Sequence, residues 1–597
     1  MRRRLLAALL GGALLPAGLT GCGIPADSDV QVDGPGPAAG AGFTNGGGAQ
    51  PVTQTASSDP KEFILNYLAA AAGEREQAYS RVTQFVAKEA KGLPPKKQNS
   101  EVALTVVRLR EKPEATPNSD GTSVVTVKVQ QVGVLRADGT LAPPVATETT
   151  YQFRLRPADT GQPGLLITDL PNVMLLSDEA LRTYYRARTI YFWNSNQSRL
   201  VPDLRYLPLA MSAERQVTEV IKWLARGPSD WLDTGVSRLP DRTNLINNAT
   251  SSDGRWEVNL DMPGAKDAWL ARLGTQLAWS LPELNGQLDL RIQNQNRLTI
   301  DVRQERLDHP TYPSSGSPER YCVYDGAIHP LSFPGGSRGT VPVGPAQNKG
   351  VVSAALSRSQ DDILAALVVT GADRRQRLRV GSGPNPVTKF NDSGWYASLG
   401  RPVWLRSLDR KNPYGLVVAD NNRLYRFDGQ AGMELVSLAV PGRVTAVAAS
   451  LDGHRIALIV DGALYVAVVS LDGGVVTVGQ PRRLITRLTG LTAVDWYAEN
   501  ELVFAGSEGR PAIYQTTVDG GLETALKRDI GARVTHLSAY PGGPVPGLPT
   551  GSFMYEANRV AYRNNPFGTI QRDQVLDVTP PAAGVKPSNP TVPFFLY

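Results

Sequence analysis

The spacing of apolar residues changes several times along the chain, and each change marks an element. After residue 57, Ile64, Tyr67, Leu68 and Ala71 fall on one helical face, because side chains three and four apart share a side of the helix. Asp59 precedes that face as an N-cap. Pro60 stands at the first helical position, and Glu62 follows three residues after the cap. Tyr79, Val82 and Phe85 predict a second helical segment. The period then drops to two. Val125, Val127 and Val129 alternate with polar residues, Asp138-Gly139 marks a turn, and Val145, Thr147, Thr149, Tyr151, Phe153 and Leu155 alternate again. Helices followed by a curved antiparallel sheet predict an α+β domain over residues 58–180.

A second α+β pattern occupies residues 185–305. Ile190-Tyr191-Phe192-Trp193 reads as an apolar strand, and Leu200-Val201-Pro202 opens the next. Val217, Val220, Ile221 and Leu224 share a helical face, and Arg226-Gly227-Pro228 stops that helix. Leu239-Pro240 marks a loop. Trp256, Val258 and Leu260 alternate with Glu257, Asn259 and Asp261. A further helix carries Trp269, Leu270, Leu273 and Leu277. Leu288, Leu290 and Ile292 predict one strand; Leu298, Ile300 and Val302 predict a last one.

Residues 320–597 repeat imperfectly. Val352–Ser357 with Ile363–Leu367 resembles Val444–Ser450 with Arg455–Ile459, and again Leu491–Trp496 with Glu501–Phe504; Pro402–Trp404 with Gly415–Val418 is another copy. A third strand such as Ala463–Val466 or Ala512–Tyr514 often follows, and Asp452-Gly453 and Asp519-Gly520 are hairpin turns. A period of roughly 43 to 50 residues is that of propeller blades, and the segment accommodates roughly six. The fold class is therefore multidomain: two α+β domains followed by an all-β propeller. The first domain looks NTF2/cystatin-like, that is, similar to nuclear transport factor or cystatin.

The N-terminus carries the sharpest chemical signal. Arg2-Arg3-Arg4 is a positive start, and the apolar run from Leu5 to Leu15 is too short to cross a bilayer. Leu19-Thr20-Gly21-Cys22 resembles the bacterial lipobox. That resemblance implies residues 1–21 as a lipoprotein signal peptide, with Leu19, Thr20 and Gly21 read by the signal peptidase. It also implies lipid attachment at Cys22, whose thiolate is the nucleophile the acylation needs. Two fatty chains such as palmitate anchor a protein stably where one does not. Residues 22–57, rich in Gly, Ala, Pro, Ser and Thr, read as a flexible tether.

Charge and reactive residues narrow the function further. The chain has 62 basic and 56 acidic residues, for a net charge of +6. Without the leader that falls to +3, with no basic run, which argues against nucleic acid as a partner. With Cys22 acylated, Cys322 has no disulfide partner. The four histidines, His309, His329, His454 and His536, show no metal-ligand spacing. His454 and His536 read as structural. Ser58-Asp59-Pro60-Lys61 fits a serine–lysine hydrolase spacing but reads better as the helix cap, with no companion motif downstream. No catalytic residue, metal or cofactor is assigned, and the chain reads as a non-enzyme.

The middle pattern resembles the GerMN domain of sporulation and germination proteins at Tyr191-Phe192, Gly227-Pro228, Leu239-Pro240 and the strand ending at Asp261. The order of lipobox, tether, α+β domain, GerMN-like domain and propeller resembles the actinobacterial LpqB lipoprotein family. So does the junction running from Leu170-Pro171-Asn172-Val173 through Tyr184-Tyr185-Arg186. The resemblance implies a lipid-anchored protein on the extracytoplasmic face of the cell membrane, accessory to the MtrA–MtrB two-component system. Its partners would be the bilayer, through Cys22, and the extracellular domain of an MtrB-like sensor histidine kinase, with effects on cell-wall homeostasis, division and development. The alternative is an envelope glycan- or ligand-binding lipoprotein, in which a propeller mouth rich in Trp and Tyr stacks sugars.

Overall fold

The computed structural model of the chain describes residues 57–94, 98, 102–159, 164–312, 318–334, 339–359, 361–405, 413–472, 475–542, 551–578 and 588–597. Helix α1 (Pro60–Ala70) starts where the cap chemistry places it: the Asp59 carboxylate accepts from the Lys61 N–H at 3.0 Å. Glu62 accepts from the Ser57 hydroxyl at 2.8 Å rather than turning back to the cap. The helix buries Phe63, Ile64, Tyr67 and Leu68. Helix α2 (Arg75–Thr83) follows, and Phe85 lies just beyond its end. Arg81 of α2 donates to the carbonyl oxygens of Ala70 at 2.9 Å and Glu74 at 3.0 Å. A cation thus meets the acceptor-rich end of α1, where unpaired carbonyls and the helix dipole favour it.

These helices pack on a mixed eight-stranded sheet, where the alternation predicted an antiparallel one. Its centre is antiparallel: Leu165–Asp169, Glu148–Pro157, Ser123–Leu135 and Leu104–Leu109 lie side by side. Two short outer strands, Val86–Lys91 and Leu175–Ser177, join in parallel. Val145 lies before its expected strand and is 92% exposed.

Helix α3 (Asp178–Tyr184) leads into the hairpin Tyr185–Trp193 with Leu200–Pro208. Helix α4 (Ala213–Arg226) ends at Gly227, whose φ of 102° disfavours any side chain. Helix α5 (Asp267–Ser280) crosses between the parallel strands Arg255–Asp261 and Gln287–Ile292, and Gln295–Asp301 completes that sheet. Val302 is not the end of a strand: Asp301 caps a further helix, α6 (Val302–Asp308), by accepting from the Gln304 N–H at 2.9 Å. A short apolar alternation running into a capped helix carries both periods at once, and the cap decides.

Among the described residues, the remaining strands form six sheets arranged as a ring. Five hold four or five strands each, in simple up-and-down order. The sixth is shared between distant segments: Thr591–Phe595 pairs with Arg320–Tyr324, which pairs with Ala327–Pro330. The inner strands, starting at Val351, Val403, Val444, Thr489, Val534 and Thr591, follow one another around the channel. This is a six-bladed propeller with a seam.

Candidate functional site

Two polar centres stand out, one in the propeller channel and one where the three modules meet. In the channel, Arg401 and Asp495 form an ion pair at 2.8 Å. Asp495 also accepts from the Ala539 N–H at 2.9 Å, and the Tyr597 hydroxyl donates to the Ala539 carbonyl at 2.6 Å. Arg401 lines two cavities. The smaller, about 30 Å³, lies against Trp404, Phe595 and Tyr597 and holds no more than a water molecule. The larger, about 310 Å³, is ringed by Ser353, Gln376, Thr445, Thr492 and Thr535. No Trp or Tyr lines it; the aromatic side chains of the channel, Trp404, Phe595 and Tyr597, stand at the smaller cavity. Among the nine tryptophans the exposed one is Trp395, and Arg377 covers its ring at 4.8 Å.

The titratable groups of this larger cavity serve as staples. Burial, helped by the Arg401 cation, pushes the His536 pKa down to about 3. A neutral ring 3.0 Å from the Pro593 carbonyl must donate through Nε2. The Glu556 carboxylate accepts from the Val592 N–H at 2.9 Å and the Thr535 hydroxyl at 3.1 Å. Both residues tie the seam strand to its neighbour. His454 is likewise buried, with its Nε2 3.1 Å from the Asn194 amide. Burial pushes the free thiol of Cys322 well up, away from the reactive thiolate. Among the described residues no three metal-ligating side chains gather into a site.

The second centre joins the modules. Arg108, from the first sheet, reaches Asp178 at 3.0 Å, Gln130 at 3.1 Å and the Gly520 carbonyl of the propeller at 3.2 Å. Arg455 binds Asp452 at 2.8 Å, Asn500 at 2.8 Å and the Glu499 carbonyl at 2.7 Å, and stacks over Trp496. Tyr191 of the middle module donates to the Glu499 carboxylate at 2.9 Å. Tyr206 donates to Asp519 at 3.1 Å. The turn aspartates Asp452 and Asp519, ordinary hairpin residues by sequence, are buried as acceptors in this junction. One apolar cluster runs from Phe63 in α1 through Val220 in α4 to Val468 and Trp496 in the propeller.

Comparison with known proteins follows the same division. A family model described as "Lipoprotein LpqB beta-propeller domain" matches residues 335–544. Another, described as "Sporulation and spore germination", matches residues 189–297. Lipoprotein LpqB of Corynebacterium jeikeium is 27% identical over 71% of this chain and 73% of its own. The chain is homologous to the LpqB lipoproteins. LpqB of Rhodococcus opacus is 26% identical over 69% of this chain and 72% of its own. LpqB of Mycobacterium tuberculosis is 24% identical over 76% and 80%. Among solved structures, the tandem GerMN domains of the Bacillus subtilis sporulation protein GerM match 20% of this chain and 45% of theirs, at 14% identity and a TM-score of 0.16.

Leu19, Thr20, Gly21 and Cys22 lie outside the described residues. Among those described, no helix is long and apolar enough to cross a membrane. The serine–lysine spacing at Ser58–Lys61 is the cap of α1, as the sequence indicated. Sequence reasoning passed over Arg108, Arg401, Asp495 and Glu499. For Arg108 and Asp495 the signal is a charge inside an apolar run, as in Ala493-Val494-Asp495-Trp496, since a charge buried in a sheet needs a partner; Arg401 and Glu499 lie outside strands, where no such signal marks them.

Proposed function

We propose that this chain is a non-enzymatic lipoprotein, acylated at Cys22 and held at the extracytoplasmic face of the cell membrane, that modulates a sensor histidine kinase of the MtrB type by contacting its extracellular domain. The observation that carries this reading is the homology to LpqB lipoproteins across both the middle module and the propeller. The fold supports it: the polar centres described here work as structural ties, and three modules locked together make a broad, rigid surface. The first α+β module, read as NTF2/cystatin-like, acts as part of that surface rather than as a separate ligand cone. A tether concentrates the protein near any partner in the same membrane, so weak contacts suffice.

Two measurements test this. Cys22→Ser should move the protein from the membrane fraction to the soluble fraction; retention in the membrane refutes the anchor. Crosslinking in intact cells, with neighbours identified by mass spectrometry, should recover a sensor kinase ectodomain. Recovery of other envelope proteins without any kinase refutes the regulatory role.

A further inference from the structure

A cleft of about 400 Å³ opens where the first module, the middle module and the propeller meet. The first module contributes Arg136 and the Pro143-Pro144 pair, the middle module Trp231, and the propeller Arg482 and Arg483. The volume lies within the range of sites that enclose compact ligands. Its walls are rigid, because prolines and a nearly buried indole (Trp231, 9% exposed) have little freedom to lose on binding.

The charges in the cleft are unbalanced. Three arginines and one carboxylate, Asp230, line it. Arg136 is paired with Asp230 at 3.0 Å. The Arg482 guanidinium donates only to neutral carbonyl oxygens, those of Leu141 and Asp519, and its Nε is buried without a partner. Arg483 is exposed, while the carboxylates that act on Arg482, those of Asp519, Asp203 and Asp230, do so through space without forming an ion pair with it. The short strand Arg482–Leu484 pairs along one side only, and its Arg482 and Arg483 line the cleft. Edge strands carry unpaired backbone groups that an extended chain can meet.

We propose that this cleft binds an extended acidic peptide segment with an apolar side chain, carried by the membrane partner of this lipoprotein. The acidic groups pair with Arg482 and Arg483, and the apolar side chain sits against Trp231 and the prolines. The occupant is a peptide rather than a polyanionic strand because the charges number two and the remaining wall is apolar. The site exists only when all three modules are assembled, which gives their fusion into one body a purpose. The identity of the carrier rests on the function proposed above; the peptide chemistry does not.

The test uses the full chain in detergent and a fluorescein-labelled seven-residue peptide with three glutamates and one leucine. A control peptide has glutamines in place of the glutamates. Fluorescence anisotropy should show at least tenfold tighter binding of the acidic peptide, weakened by 0.5 M salt as exposed charges are screened. Arg483→Glu, at an exposed and unpaired position, should abolish that preference without changing the melting temperature. Arg483→Lys should keep most of it, and Asp230→Asn should tighten binding two- to threefold. Equal binding of the two peptides, or full acidic preference in Arg483→Glu, overturns the proposal. In cells, kinase crosslinking that persists unchanged in Arg483→Glu removes the cleft as the contact while leaving the regulatory function intact. If the wild type fails to crosslink any kinase, that function falls, and the peptide measurement still decides the cleft.

Discussion

The Glu499 carboxyl sits under the Tyr191 hydroxyl, at the seam between the middle module and the propeller. Burial raises its pKa from 4.5 to about 7, against the downward pull of the Arg455 cation and the Tyr191 hydrogen bond. A folded carboxyl that holds its proton more tightly than the unfolded chain stabilises the fold fully below pH 4.5. It loses that contribution as pH rises through 7. A shift of this size corresponds to about 3 kcal/mol. His536 works in the opposite sense, because its folded pKa of about 3 lies below the ordinary 6.5; its contribution is lost on acidification. The wild-type curve mixes the two, so the informative quantity is a difference. Glu499→Gln should melt progressively higher than wild type as pH rises from 4.5 to 7, with a constant gain above that. A gain independent of pH would remove Glu499 as the titrating group.

At the scale of elements, the seam strand Thr591–Phe595 is the piece on which ring closure depends. Tyr597 just beyond it stacks on Tyr540 at 5.7 Å while donating to the Ala539 carbonyl. Tyr597→Phe should keep the stacking, lose the hydroxyl's contacts with the Ala539 carbonyl, Asp495 and Ser538, and lower stability by about 1–3 kcal/mol. Thermal unfolding measures it, and a change near zero would show the hydroxyl to be incidental. Helices α1, α4 and α5 were legible in the sequence because caps and periodicity are local: Asp59 with Pro60 fixes one start, and Gly227 fixes one stop. The blade repeats were legible for the same reason. The seam was not, because nothing near Arg320–Tyr324 marks a partner some 270 residues away. Helix α6 was missed where a strand pattern ran straight into a cap at Asp301. Tryptophan counts say nothing of direction: Trp404 and Trp496 are both buried.

At the scale of the molecule, the modules share one apolar cluster, and buried arginines reach between them, Arg108 to the Gly520 carbonyl and Arg455 to the Pro202 carbonyl. Such a body should unfold as a single calorimetric transition. Arg108→Ala leaves Asp178 and Glu523 facing each other's module without their common cation. Removing one side of a buried charge network costs about 3–5 kcal/mol. The variant should therefore show the propeller melting separately from the α+β modules in differential scanning calorimetry. Two transitions already present in wild type would mean the modules are docked but not coupled.

The pairing of Arg320–Tyr324 with Thr591–Phe595 also fixes an order of events in time. A ribosome makes the first strand of that pair long before the second, so the opening blade stays unfinished while the other five are laid down. Any chain stopped short of residue 591 keeps a broken circle with two bare strand rims, which invites proteolysis or clumping. Shortened products that lack this strand should therefore be cleared rather than accumulate as partial scaffolds.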